Sequence, residues 1–143
     1  MKSDLEYIKK LGFKYVGEWC ALDENEKITH NIELKQQEQE RVIYAFVVCD
    51  DVKYVGETTR TLKEKMQNYR TCDESQGRDI ENNKQIKKVL GNKDGNKNKV
   101  SIYTLCDSSV SSLSDEILSI LKYGIISNLN PKKLWNKRGV KNN

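Results

Sequence analysis

Apolar side chains follow one another along residues 42–48 in the manner of a β-strand. Two sets alternate along it: Val42, Tyr44, Phe46 and Val48 on one face, and Ile43 and Val47 on the other. Residues 49–51, which contain two aspartates, predict a tight turn, and residues 52–55 predict the returning strand. Gly56 is expected to end that strand, because a residue without Cβ tolerates a sharp backbone bend.

A basic amphipathic helix is predicted directly after this hairpin. The threonines at positions 58, 59 and 61 are all candidates for its N-cap, since a threonine hydroxyl can accept a hydrogen bond from a free helical N–H group. Its apolar stripe consists of Leu62, Met66 and Tyr69. We expect this strand–turn–strand–helix unit to be the centre of the fold.

The N-terminal part of the chain predicts a short helix and a second hairpin. The expected elements are a helix over residues 5–11 that is ended by Gly12, strands over 13–22 and 28–34, and a charged connector over 35–41. Trp19 is expected to pack inside this hairpin.

The C-terminal half predicts a loop, a helix, a strand, a long helix and a tail. The ranges are 71–79 for the loop, 80–90 for the helix, 100–105 for the strand, and 134–136 for a closing strand or packed tail. The long helix is expected to begin at the capping-box pattern Ser112-Leu113-Ser114-Asp115 and to run through Leu129. Taken in order, the elements predict an α+β fold: a small central β-sheet flanked by helices, with an N-terminal β-hairpin.

Length and composition indicate one domain over residues 1–143. Within it we separate a hairpin and connector at 1–41, a core at 42–139 and a basic tail at 140–143. The chain is 36% hydrophobic and 32% charged, and no apolar run approaches the roughly 20 residues that a transmembrane helix needs. Charged and apolar residues alternate too often at the N-terminus for a signal peptide, so we expect a cytoplasmic protein without a membrane partner.

The cysteines and the single histidine, His30, form no metal-binding or disulfide pattern. Cys20, Cys49, Cys72 and Cys106 are widely separated, and no CxxC pair occurs. This spacing argues against a zinc finger and against a disulfide framework. Cys49 and Cys106 each lie at the end of an apolar strand, so we expect them to be buried, reduced thiols.

Positive charge is concentrated at the C-terminal end. The whole chain has a net charge of +4, and residues 131–143 contain five basic residues and no acid, so the remainder has a net charge of −1. If this end lies near the basic helix, the two together would present a surface suited to phosphate groups.

Two short motifs in the central hairpin resemble those of a known nuclease family. Val42-Ile43-Tyr44 and Tyr54-Val55-Gly56 are similar to the paired motif of the GIY-YIG nucleases, with Val42 in place of the first glycine and Val55 in place of the second isoleucine. The small phage-type and restriction-type members are the most similar, since a motif like Tyr54-Val55-Gly56-Glu57-Thr58 there leads into a basic helix that ends in an aromatic residue.

The resemblance implies metal-dependent hydrolysis of DNA phosphodiesters, with Mg²⁺ or Mn²⁺ as cofactor. It implies catalytic roles for Tyr44, Tyr54 and Tyr69, with the motif tyrosine activating the attacking water. It also implies an arginine on the helix after the second motif, a glutamate on a later helix that holds the metal, and, in restriction-type members, a lysine after the second motif.

Three of the implied positions carry a different residue. Glu57 occupies the position of the lysine, Lys65 that of the arginine, and Lys122 that of the metal-binding glutamate. Glu57 would suppress ionisation of a neighbouring phenol, and a protonated Lys122 cannot ligate a hard cation. Asp115 and Glu116 lie earlier on the same helix and are the remaining candidates for the metal, with Glu116 as our prediction. Their alternative role is to complement the helix dipole.

Three hypotheses therefore stand at this point. The first is an active GIY-YIG-type DNA endonuclease that uses Tyr44, Tyr54, Lys65 and Tyr69. The second is a nucleic-acid-binding protein on the same fold whose hydrolytic centre has decayed. The third is a protein-interaction module, such as an inactive partner of a related nuclease. The predicted nucleic-acid-binding residues are Arg60, Lys63, Arg70, Lys137 and Arg138. DNA versus RNA, and homo-oligomer versus partner nuclease, stay open.

Overall fold

The computed structural model describes residues 3–73, 75, 77–91, 99–137 and 139–140. Arg138 and residues 141–143, which include part of the predicted basic surface, lie outside the described residues. The helices are α1 (Asp4–Leu11), α2 (Leu34–Gln37), α3 (Leu62–Thr71), α4 (Gly77–Leu90), α5 (Ser108–Ser111) and α6 (Asp115–Ser127). The strands are β1 (Lys14–Leu22), β2 (Ile28–His30), β3 (Glu40–Val48), β4 (Asp51–Thr61) and β5 (Val100–Leu105). None of the described helices is long and apolar enough to cross a membrane.

All five described strands belong to one antiparallel sheet. Their spatial order is β2-β1-β5-β3-β4, so β5 joins the N-terminal hairpin to the central hairpin. Strand β4 therefore lies at an edge of the sheet. The α+β class and the N-terminal hairpin predicted from sequence are confirmed.

The two faces of β3 bury different helices. Val42, Tyr44 and Phe46 pack with α3 and α4, whereas Ile43, Ala45 and Val47 pack with α1, α5 and α6. This division is the one that the alternating pattern predicts. Both faces are covered, which explains why β3 is apolar at nearly every position.

Strand β4 is longer than the sequence predicts. It continues through Gly56 to Thr61, and Thr61 then caps α3 by accepting a hydrogen bond from the backbone N–H of Glu64 at 3.1 Å. The prediction that Gly56 ends the strand is therefore wrong. The turn before β4 uses left-handed backbone at Cys49 and Asp50, with φ of 48° and 68°, as a two-residue hairpin turn requires.

Three element boundaries also differ from the prediction. Strand β2 ends at His30, and Leu34, whose side chain is exposed, opens the short helix α2. Helix α6 begins after Ser114, which accepts from the N–H of Ile117, so Ser112 is not the cap. Helix α4 begins at Gly77, three residues before the predicted start.

The N-terminal hairpin contains the single histidine of the chain, His30. The ring of His30 packs edge-on against Trp19, with ring centroids 5.2 Å apart, and its Nδ1 accepts from the N–H of Ile32. Burial lowers the pKa of His30 below its usual 6.5, and the positive charge of Arg70 acts in the same direction. The folded protein therefore disfavours the protonated ring.

We expect stability to fall as the pH is lowered through 6.5. Below this value the unfolded chain protonates His30 while the folded protein resists it, so the unfolded state binds more protons and is favoured. Urea unfolding followed between about pH 7.5 and about pH 5.5 measures the effect. The decline should be smaller in His30→Gln, and an equal decline in the variant would assign it to other groups.

Candidate functional site

The pairing of β3 with β4 brings the two motif tyrosines side by side. Tyr44 lies opposite Gly56, Tyr54 lies opposite Phe46, and the ring centroids of Tyr44 and Tyr54 are 6.2 Å apart. A Cβ atom at Gly56 would lie 2.5 Å from Cζ of Tyr44 and 2.8 Å from the ring of Tyr54. The glycine is therefore needed for space between the two rings rather than for an unusual φ.

Tyr44 and Tyr69 meet in the core. Their hydroxyl groups are hydrogen bonded at 2.5 Å, and Tyr44 and Tyr69 are 1% and 0% exposed. Asn83 donates to the backbone oxygen of Tyr69 at 2.6 Å and so ties α4 to α3. Burial raises the pKa of both phenols well above the usual value. Both side chains are therefore neutral core residues, and the structure places neither against a ligand-accessible surface.

Tyr54 has a different environment. It is partly exposed and lines a pocket of about 360 Å³ together with Arg78, Lys122, Tyr123, Asn136 and Lys137; we call this the tyrosine pocket. Burial raises the pKa of Tyr54, while hydrogen bonding from Tyr69 and Asn82 and the charge of Lys122 act to lower it. Of the three tyrosines predicted to be catalytic, Tyr54 alone faces a pocket.

Three further segments join Tyr54 of β4 in lining the tyrosine pocket. Arg78 comes from the first turn of α4, Lys122 and Tyr123 come from α6, and Lys137 comes from the C-terminal tail. The tail is held by Asn136, whose side chain accepts from the N–H of Val55 at 2.9 Å and donates to its carbonyl oxygen at 3.0 Å. The Asn136 amide thereby forms hydrogen bonds with the backbone N–H and C=O of Val55 at the edge of β4, as a neighbouring strand would. For residues 134–136 the sequence predicted either a closing strand or a packed tail, and the structure has the packed tail.

Two carboxylates next to the pocket form ion pairs with lysines. Glu57 forms an ion pair with Lys122 at 2.9 Å, and Asp79 forms one with Lys65 at 3.1 Å and 3.3 Å. All four side chains are largely buried. Lys65 is therefore held by α4, and its ammonium group lies 5.0 Å from the centre of the Tyr69 ring.

A second cleft lies on the other side of Glu57. It has a volume of about 310 Å³ and is lined by Glu57, Thr58, Thr59, Arg60, Lys65 and Asn68; we call it the threonine cleft. Glu57 lines this cleft and Lys122 lines the tyrosine pocket, so their ion pair lies between the two.

The predicted nucleic-acid-binding residues are distributed over more than one surface. Arg60 is exposed and lines the threonine cleft, exposed Lys63 lies next to it on α3, and Lys137 lines the tyrosine pocket. Arg70 instead forms an ion pair with Asp23 at 2.6 Å, which ties α3 to the N-terminal hairpin. Arg138 lies outside the described residues.

The donor atoms of the tyrosine pocket do not fit a divalent cation. The described residues that line it include three cations and no carboxylate, whereas Mg²⁺ and Mn²⁺ prefer oxygen ligands that include carboxylates. Glu116 is exposed in the first turn of α6, and its neighbour Asp115 pairs with Arg41 at 2.7 Å. Asp115 and Lys122 are seven positions apart on the helix, a rise of about 10 Å. Among the described residues, no group of three or more His, Cys, Asp or Glu could hold a metal ion.

Sequence reasoning missed Arg78 and Asn82. Arg78 falls in a stretch that was predicted to be a loop, and only the early start of α4 directs it to the pocket. Asn82 is fully buried, its Nδ2 lies 3.5 Å from the hydroxyl of Tyr69, and its Oδ1 has no hydrogen-bond partner among the described residues. Asn82 lies one helical turn before the core residue Ile86, and nothing in the sequence around it predicts that its side chain is buried beside the hydroxyl of Tyr69.

Two solved nuclease structures resemble the chain. A mutant of bacteriophage T4 EndoII has a TM-score of 0.68 and 22% sequence identity, with 95% of this chain and 100% of that chain covered. The restriction endonuclease HPY188I, solved in complex with product DNA, has a TM-score of 0.58 and 15% identity, with 89% of this chain and 79% of that chain covered. No protein-family model and no curated protein sequence matches the chain. At these identities the comparisons establish a shared fold: this chain has the fold of a phage endonuclease and a restriction endonuclease.

Proposed function

We propose that the chain is a DNA-binding protein of GIY-YIG nuclease type that holds a backbone phosphate in the tyrosine pocket. The observation that carries this proposal is the convergence of Arg78, Lys122 and Lys137 on one concave site. Guanidinium and ammonium groups are the usual protein partners of phosphate oxygens, and no described carboxylate lines the pocket to repel an anion. Asn136 and the hydroxyl of Tyr54 add neutral hydrogen-bonding groups.

The threonine cleft extends this surface along the edge of β4. Its hydroxyl groups, from Thr58 and Thr59, and the guanidinium of Arg60 are suited to a second phosphate of the same strand. Exposed Lys63 adds charge beyond it. The restriction endonuclease with the shared fold is solved with product DNA, which supports DNA as the ligand of this chain.

Hydrolysis of the bound strand is the second candidate function. It is favoured by Tyr54, whose phenol faces the pocket cations; burial raises its pKa, and hydrogen bonding with Tyr69 and the charge of Lys122 oppose that rise. Against it, the site of this chain offers no described carboxylate for a metal, and burial keeps the Tyr54 phenol protonated at neutral pH. We therefore place binding first.

Incubation with plasmid DNA separates the two functions. We expect the protein to retain plasmid in a gel-shift assay without nicking it, in Mg²⁺ or in Mn²⁺, with retention that weakens as salt is raised. Nicking that is lost in Tyr54→Phe and kept in Tyr15→Phe, an exposed tyrosine on β1, would establish hydrolysis instead. Absence of both retention and cleavage at low salt would contradict the proposal.

A further inference from the structure

Two residues that depart from the family pattern meet in the structure. The carboxylate of Glu57 and the ammonium group of Lys122 are 2.9 Å apart, and their side chains are 19% and 16% exposed. Relative to the positions that the resemblance implies, the acid and the base have exchanged places between β4 and α6. The two substitutions therefore compensate each other in charge.

The ion pair fixes the ammonium group of Lys122 at the pocket wall. Glu57 holds it from β4, and the ring of Tyr123 lies beneath it, with Nζ 4.5 Å from the ring centre. An ammonium group has three N–H donors, so one donor directed at Glu57 leaves others for an oxygen atom in the pocket. Lys122 is thus held in place before any ligand arrives.

The same pair disfavours a divalent cation. A cation entering the tyrosine pocket would meet the positive charges of Arg78, Lys122 and Lys137. Glu57, which contacts Lys122, and Asp79, which follows Arg78 in the chain, are already paired with lysines. Freeing either carboxylate for a metal would leave a largely buried ammonium group without its partner, which is strongly unfavourable.

We propose that this site binds a phosphate anion without a divalent cation, with Lys122 supplying the positive charge and Glu57 holding Lys122 in position. The proposal rests on the proposed DNA-binding function and adds the ionic requirement of that binding. Its consequence is that chelation of divalent metals leaves phosphate binding intact.

Fluorescence anisotropy with labelled duplex DNA tests this, in EDTA and in Mg²⁺ at matched ionic strength. We expect the two dissociation constants of the wild type to agree within about twofold, since the pocket cations neutralise the same phosphate in both buffers. Calorimetric titration with Mn²⁺ alone should detect no binding to the wild type. A requirement for Mg²⁺, or saturable Mn²⁺ binding that is lost when Glu57 is replaced by Gln, would overturn the inference.

Two variants make the test specific to the pair. The exchange Glu57→Lys with Lys122→Glu preserves the ion pair across β4 and α6 but places a carboxylate at the pocket wall, and its DNA binding in EDTA should be weaker than that of the wild type by about tenfold. The neutral pair Glu57→Gln with Lys122→Gln should also bind more weakly, because the pocket loses the charge of Lys122. Mn²⁺ should restore binding in neither variant, and unchanged binding in both would contradict the assignment of Lys122.

Inorganic phosphate distinguishes failure of this inference from failure of the proposed function. We expect phosphate in EDTA to shift the NMR signals of Tyr54 and Lys137. If phosphate binds in EDTA and DNA does not bind in any buffer, the DNA-binding proposal fails and the inference stands. If DNA binds only with Mg²⁺, the inference fails and DNA binding stands. If neither ligand binds, both fail.

Discussion

Replacing Arg78 and Lys137 by glutamine is expected to weaken binding of duplex DNA between about 10- and 100-fold, because each charge-assisted hydrogen bond to phosphate contributes about 1.5–3 kcal/mol and neighbouring interactions are not additive. Arg78 and Lys137 come from α4 and the C-terminal tail and line the tyrosine pocket. The slope of log affinity against log salt should also become shallower, by about one for each phosphate that the variant no longer neutralises.

A matched control removes the same charge elsewhere. Lys9 and Lys10 are exposed in the last turn of α1, so Lys9→Gln with Lys10→Gln changes the net charge equally. This variant should bind DNA within about twofold of the wild type, since only long-range attraction is altered. Equal losses of affinity in both variants would indicate that net charge, rather than the pocket, drives binding.

Gly56→Ala is expected to lower the free energy of unfolding by about 3 kcal/mol, the upper part of the range for inserting a methyl group into a packed site. The new Cβ would lie within 2.8 Å of the rings of both Tyr44 and Tyr54. Tyr44 has no space to move, since its hydroxyl is bonded to Tyr69 in the core. The hairpin or Tyr54 must shift instead, so DNA binding should also weaken. Urea denaturation measures the first effect and anisotropy the second.

Gly124→Ala is the control for the same chemical change. Gly124 lies inside α6, and a Cβ there would meet no atom of the described residues within 4 Å outside the backbone of its own helix. Alanine should therefore raise stability by about 0.5–1 kcal/mol, because glycine loses more backbone freedom in a helix. A loss of stability at Gly124, or no loss at Gly56, would contradict the packing that we describe.

The central hairpin was predictable because its signals are local. Alternation of apolar residues over 42–48 assigns Tyr44 to one face and Ile43 to the other, and both assignments are confirmed. The turn at Cys49 and Asp50 and the helix after Thr61 depend on neighbouring residues alone. Such features need no knowledge of the tertiary fold.

The tyrosine pocket was only partly predictable because tertiary contacts create it. The resemblance implied catalytic roles for both Tyr44 and Tyr54, but the hydroxyl of Tyr44 is bonded to Tyr69 on α3 and cannot reach a ligand. Arg78 could be assigned to the pocket only from the observed start of α4 at Gly77, because the sequence predicted a loop at this position. The pairing of Glu57 with Lys122 joins β4 to α6, and nothing near either residue in the sequence points to the other.

An NMR titration of the isotopically labelled protein with a short DNA duplex tests the position of the binding site most directly. The largest shifts should fall on Tyr54, Arg78, Tyr123 and Lys137, which come from separate segments that only the fold brings together. Shifts that are confined to α1 and the N-terminal hairpin, with the tyrosine pocket unchanged, would contradict a phosphate site in that pocket.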